Sequence, residues 1–461
     1  MSTASLPSYA PPEFTRSPSY TEEPQGHERR LAHATRPTYP SRPLSDFVKQ
    51  SKSGGLSLRL SEQADGVRAP VYGVRSPIEG TVELAKVDGL AYVAIKIEGM
   101  LKLKEIAAGG TTTSVLCNET ISLWRKGIDP GPCPNRLSFS AILPSTFADE
   151  KGSYPLPPTY EAHLTGLPGF QASVDYSVTA IASKSKTVVL GLGATTVSTP
   201  FTYYPRFRPG TPSPPAMTQA LKSPGVQQTP QWKLYESTIV SRAPGAGDIT
   251  CKVYLPKSSV FCLSEPIPFH ISFVASAMSL ASLLPFVPSS SSSSSSKPCT
   301  RIQLLRQTSV DVKNAYVQEG TNTEIWRVFN IGEGSFWRTA DGPDWISFTG
   351  EIRIKPDVKI GGFKAGGLWV KVNPAFLLLF ATTAPLTSSI PIATQDCIVL
   401  SITPPDAIKG PIGDLRQVIP VRIVTDPWST DNVGAGLVHR SSPDASEEFI
   451  LDQPLLSYHA L

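Results

Sequence analysis

The chain has 461 residues, more than one ordinary domain of about 100 to 200 residues and a comfortable length for two. Hydrophobic residues make up 40% and charged residues 17%, while 45 prolines and 34 glycines punctuate short apolar runs, favouring strands and turns over long helices. The net charge of +4 comes from interspersed signs with no basic stripe carrying aromatics, which argues against a nucleic-acid binder.

Residues 1–44 are rich in Pro, Ser, Tyr and Arg without apolar periodicity, and read as a disordered tail. The opening twenty residues lack the charged-then-apolar arrangement of a secretory signal, so a cytoplasmic location is expected. Residues 45–208 read as the first β domain, with order beginning at Leu56–Leu60. Val93, Ile95, Ile97, Gly99, Leu101 and Leu103 alternate with Lys96, Glu98, Lys102 and Lys104, the period of two that a half-buried antiparallel strand requires. Val174, Tyr176, Val178 and Ala180 repeat the pattern. Residues 209–230 form a Pro-rich linker.

The second β block spans residues 231–428, with strands predicted over 250–255, 271–274, 301–305, 349–354, 368–372 and 419–424. Its longest apolar stretch, Ile267 to Val287, holds His270 and Pro285, and reads as two strands and a turn rather than a membrane span. Eight successive serines, Ser289–Ser296, read as a surface loop. Residues 429–461 form a second disordered tail, acidic in part. The fold class expected is therefore all-β, two consecutive antiparallel sandwiches with disordered tails.

Motifs for chemistry are sparse. Of six histidines, only His163 and His270 fall outside the predicted tails, and neither has a partner at metal-ligand spacing. The chain spells no H-E-x-x-H, G-x-S-x-G or phosphate-loop motif, and the short glycine pairs Gly191/Gly193 and Gly332/Gly334 read as hairpin turns. Six scattered cysteines, without a C-x-x-C pair, read as reduced thiols. No catalytic, metal or cofactor site is expected, although an unrecognised hydrolase stays open. Lys102, Lys104 and the Arg29-Arg30 pair read as solvated charge that could touch anionic lipid weakly.

Several phrases, in order, resemble the arrestin fold as it occurs in fungal α-arrestins, the arrestin-related trafficking adaptors. In the first domain they are Tyr72-Gly73 with Ser76–Leu84, Ile95–Gly99, Leu137–Pro144, Leu156–Glu161 with Val174–Val178, and Tyr204–Pro209. In the second they are Val253–Pro256, Pro266–Phe269 and Arg301–Gln307, so the resemblance spans roughly residues 55 to 425. It implies a non-catalytic adaptor, peripheral to the plasma membrane or endosomes. Such a protein links membrane cargo (a transporter or receptor) to a ubiquitin ligase of the Nedd4 type for endocytosis and sorting, through Pro-Pro-x-Tyr segments read by WW domains. A scaffold of the same fold without ligase recruitment is the alternative.

The motif is spelled fully once, at Pro157-Pro158-Thr159-Tyr160, where the competing reading is a structural loop whose Tyr packs inward. Weaker copies lie in the tail, at Leu6-Pro7-Ser8-Tyr9, Pro11-Pro12, Pro18-Ser19-Tyr20 and Pro37-Thr38-Tyr39; ordinary disorder is the other reading of these. Ser17, Thr211, Ser213, Ser223, Thr229 and Ser442 each precede Pro and are candidate phosphorylation sites. Arg206 and Arg208 are candidate anion contacts, with capping of a sheet edge as the alternative. Phe449–Asp452 resembles part of a clathrin-box peptide.

Overall fold

The computed structural model describes residues 44–106, 111–149, 152–165, 169–184, 194–215, 217, 230–288, 298–313, 322–366, 368–370, 396–406 and 409–429. These residues are nearly all β. The first twelve strands are β1 (Leu44–Gln50), β2 (Leu56–Ala64), β3 (Val71–Tyr72), β4 (Pro77–Leu84), β5 (Leu90–Glu105), β6 (Thr111–Arg125), β7 (Arg136–Ile142), β8 (Thr146–Asp149), β9 (Gly152–Pro155), β10 (Tyr160–Leu164), β11 (Phe170–Lys184) and β12 (Thr195–Tyr203). One sheet runs β1-β2-β4-β7; the facing sheet runs β3-β12-β11-β5-β6, with β10 paired to β11. Leu58, Ile78, Val82 and Phe139 from one sheet meet Val93, Ile95, Ile97, Val174, Val178 and Phe201 from the other in a single core. The alternation read from the sequence on β5 and β11 is the alternation of burial: Val93, Ile95, Leu101 and Val174 are wholly enclosed, while Lys102 and Lys104 are exposed. Strand β1 lies ahead of Leu56, where order was expected to begin; its pattern is too polar to announce a strand, and it is added along the edge of β2.

The second half contributes β13 (Trp232–Ile239), β14 (Ile249–Pro256), β15 (Val260–Cys262), β16 (Ile267–Val274), helix α1 (Ala277–Leu283), β17 (Thr300–Lys313), β18 (Asn322–Asp341), β19 (Trp345–Ile354), β20 (Phe363–Ala365), β21 (Leu368–Val370), β22 (Asp396–Ile402) and β23 (Leu415–Val424). They form one sheet along β13-β14-β16-β19-β18-β17-β22-β23-β15. It curls so that Val253, Phe269, Ile271 and Phe348 pack against Leu304, Ile398, Leu400 and Ile419 from its other end, giving a second core.

Two expectations are corrected here. The stretch from Ile267 to Val287 is one strand followed by α1 and a 3-10 turn, Leu284–Phe286, rather than two strands. Ser276 caps α1 by accepting the Ser279 N–H, and Leu280 and Leu283 anchor it in the core. Gly332 and Gly334 are not a hairpin turn but lie inside β18. A Cβ on Gly334 would stand 2.2 Å from the Ile302 side chain, so glycine is what allows β18 to pass this close. Gly191, Gly193 and the run Ser289–Ser296 lie outside the described residues. Among the described residues no helix is long and apolar enough to cross a membrane.

Strand β17 joins the two cores. Its first half places Ile302 and Leu304 in the second core, and its second half places Val310 in the first, together with Phe363, Ala365 and Leu368 of β20 and β21. The side chains between, Arg306 and Thr308, fall at the junction.

Candidate functional site

The segment Pro157–Tyr160 is built into this junction. Tyr176 on β11 donates its hydroxyl to the Pro157 carbonyl (2.7 Å). The Thr159 N–H donates to the Tyr203 carbonyl (2.9 Å), and the Tyr203 N–H donates back to Thr159 Oγ1 (2.8 Å). Pro157 and Pro158 are buried. Tyr160 sets its ring edge-on to Phe363 at 5.1 Å, and its hydroxyl is hydrogen-bonded with Thr308. Burial pushes the Tyr160 phenol upward against the smaller opposing pull of Thr308 and Arg306. A WW groove needs both prolines and the tyrosine displayed on a free polyproline II ridge. Here all three contribute to the joint, so docking would require the segment to leave it.

Beside Tyr160 lies a buried ion pair. Arg306 donates from Nε and Nη2 to the two Asp396 oxygens, each at 2.8 Å, and from Nη1 to the Ile360 carbonyl at 2.8 Å. Arg306 is 7% exposed and Asp396 1%. The fork geometry satisfies both carboxylate oxygens and three guanidinium nitrogens, the condition under which a buried pair is tolerated. Around it, Tyr204 donates to the Lys359 carbonyl (3.0 Å), and Lys364 lies 4.1 Å over the Tyr154 ring. The junction thus carries a buried ion pair where the sandwich cores are built from apolar side chains.

Arg206 is committed elsewhere than to an external anion. Its Nε donates to both Asp426 oxygens (3.1 and 3.0 Å), and Nη2 also meets Asp426 Oδ1. Burial alone would raise the Asp426 carboxyl, but hydrogen bonds from Arg206 and Thr425 outweigh it and hold the group below the usual carboxylate range. Arg208 remains exposed. Thr211 and Ser213 are also exposed, on a shallow surface depression shared with Val260, Cys262 and Glu265. The tail positions Leu6, Pro7, Tyr9, Pro11, Pro12, Pro18, Tyr20, Pro37 and Tyr39 lie outside the described residues, as do Ser17, Ser223, Thr229, Ser442 and Phe449–Asp452.

His163 stands on an exposed sheet face between Glu161 (2.9 Å) and Gln171 (3.0 Å). His270 is fully buried on β16 and its pKa is lowered to about 4 by desolvation. Burial also pushes the Cys117 thiol up to about 11 and those of Cys251 and Cys397 to about 12, leaving them protonated at neutral pH. Among the described residues no three His, Cys, Asp or Glu gather as a metal site.

Sequence reasoning missed Arg306, Thr308, Asp396 and Asp426. The one available signal was a charge set against an apolar strand run, Asp396 before Cys397–Leu400. No protein-family model matches the chain, and no curated protein matches it.

Proposed function

We propose that this chain is a non-catalytic adaptor of arrestin-like type. Its two-sandwich body receives a cytosolic segment of a membrane protein, and its N-terminal tail recruits a WW-domain ubiquitin ligase of the Nedd4 type. Two observations support the arrestin-like part: an all-β architecture and the ordered phrases running from Tyr72 to Gln307. The observation that carries the division of labour is the fate of Pro157–Tyr160. The fold consumes that copy in the junction, so ligase binding falls to the tail copies around Tyr9, Tyr20 and Tyr39. Each tail copy is a weak ligand alone; several on one chain gain by effective concentration against a ligase with several WW domains.

A second reading has a specific observation in its favour. Since both prolines of the one fully spelled motif are buried and its tyrosine packs on Phe363, the chain could act as a trafficking scaffold of the same fold with no ligase attached. Reconstituted ubiquitin transfer separates the two. With a Nedd4-type ligase, the adaptor reading expects ubiquitin on lysines of the intact chain and a loss of at least tenfold when residues 1–43 are removed. Modification of neither form favours the scaffold, and equal modification of both would contradict recruitment by the tail.

A further inference from the structure

Four connections meet at one end of the second sheet. They are residues 240–248 between β13 and β14, the stretch after β16 that carries α1, residues 342–344 between β18 and β19, and residues 403–406 with 409–414 between β22 and β23. Backbone and side-chain bonds tie them into one platform. Ser279 on α1 donates its hydroxyl to the Gly247 carbonyl (2.7 Å). The Ala275 N–H donates to the Asp344 carbonyl (3.0 Å), and the Gly413 N–H donates to the Val240 carbonyl (2.8 Å). The Met278 sulfur rests 3.6 Å from where a Cβ on Gly245 would stand.

Leu280 and Leu283 turn α1 into the core, and the opposite side of such a surface helix ordinarily carries charged residues. Here that side carries Ala277, Met278 and Ala281, followed by Leu284 and Pro285 of the 3-10 turn, all exposed. Met278 is 58% exposed and Leu284 44%, and Val240 on the neighbouring connection is 54% exposed. The only polar side chains on α1 are Ser279 and Ser282, and no residue from Ile271 to Ser296 is charged. Apolar side chains thus stand in water where the pattern of a surface helix calls for charge.

The charges around the platform narrow what can cover it. Asp248 accepts the Ser241 N–H (3.0 Å), Asp406 accepts the Lys409 N–H (2.8 Å), and Arg242 reaches the Ile412 carbonyl (3.5 Å), so these three brace the platform's own backbone. Asp248, Asp344, Asp406 and Asp414 stand against Arg242 and Lys409, an excess of two negative charges that opposes an anionic bilayer. Protein interfaces centre on Trp, Tyr and Arg anchors, and α1 presents none of these. An uncharged, aliphatic and serine-bearing helix instead suits the boundary between headgroups and acyl chains of a neutral membrane.

We propose that this end of the second sheet docks on a neutral, loosely packed lipid surface, with Met278, Leu284 and Val240 entering the acyl boundary. At seven residues α1 is too short to cross a membrane, so it lies in the interface. The apolar area offered is small, which makes docking weak and reversible. It strengthens where curvature opens gaps between lipids, because those gaps admit side chains without displacing headgroups. The site stands on this platform alone, whatever the tail recruits.

The test floats the full-length chain with vesicles of unsaturated phosphatidylcholine, small and highly curved or large and nearly flat, with and without added phosphatidylserine. The expected result is binding to the small neutral vesicles, weaker binding to the large ones, and no gain from phosphatidylserine. Met278→Ser/Leu284→Ser should weaken binding by at least about fivefold, since both side chains lose their transfer from water to lipid. Both changes fall on exposed positions, and Val240→Ser, on a separate connection, is the second variant should they disturb α1. Failure of the intact chain to float with small neutral vesicles would overturn the site, as would flotation that the serine variants leave unchanged. Flotation that requires phosphatidylserine would overturn it in favour of charge elsewhere on the chain. Lipid-free self-association abolished by the serine variants would assign the face to a second copy instead.

Discussion

His270 is 0% exposed on β16, beside Tyr254 at 5.8 Å between ring centroids, and neither ring nitrogen has a hydrogen-bond partner. Burial favours the neutral ring and lowers its pKa to about 4, against about 6.5 in an unfolded chain. Between these values the unfolded state binds the extra proton. The histidine's contribution to stability is therefore complete above about pH 6.5 and is lost as pH falls through about 4, amounting to about 3 kcal/mol. Chemical denaturation of wild type and His270→Leu from pH 7 to pH 4 checks this: the wild type should lose that much more stability than the variant. Parallel curves would mean the ring is reached by water or by a partner. The Arg306–Asp396 pair gives a second prediction at this scale. Asp396→Asn leaves a guanidinium buried without its counter-charge and should cost about 3 to 5 kcal/mol, whereas replacing both members by Met and Leu should restore much of the loss. A double variant no more stable than the single would show that the pair does more than neutralise itself.

At the scale of elements, the strands were legible where one face is buried and the other wet, and obscure where that contrast fails. Strands β5 and β11 could be read residue by residue because Lys96, Lys102 and Asp175 mark the outer face. Strand β18, twenty residues long, was not foreseen. Its glycines at 332 and 334 imitate a turn, and what they permit is contact with β17 and with Phe269, a cause that lies far away in sequence. The same holds for Gly350 on β19, where an added Cβ would fall 2.2 Å from both the Ser335 carbonyl oxygen and the Phe269 ring. Because one of those neighbours is backbone, Gly350→Ala should cost about 3 kcal/mol or more. Gly89→Ala, at a turn with open space around it, should act only through its positive φ and cost about 1 kcal/mol. Thermal denaturation of the two variants should separate them clearly; equal shifts in melting temperature would contradict the packing account. Helix α1 was hidden for another reason. Its seven residues, Ala277–Leu283, are too few for a helical period to stand out against the strand preceding them.

For the whole molecule, the sequence conveyed the all-β character, since turn residues and period-two runs recur along its length. It conveyed little of the joint. Arg306, Asp396, Tyr160 and Phe363 are separated by up to 236 positions and become neighbours only through β17, which serves both cores. A motif reader therefore meets Pro157–Tyr160 as a ligand, while the fold uses it as a joint, with Tyr176 and Tyr203 holding the backbone and Phe363 receiving the ring. That difference motivates the central proposal, in which the tail recruits the ligase and the loop motif serves the structure. Calorimetric titration of a tandem WW-domain array tests it most directly, using the full-length chain, a Tyr9→Ala/Tyr20→Ala/Tyr39→Ala variant and Tyr160→Phe. The account predicts binding by the intact chain, a loss of at least tenfold in the triple variant, and unchanged affinity for Tyr160→Phe. Undiminished binding by the triple variant, or no binding by the intact chain, would contradict it.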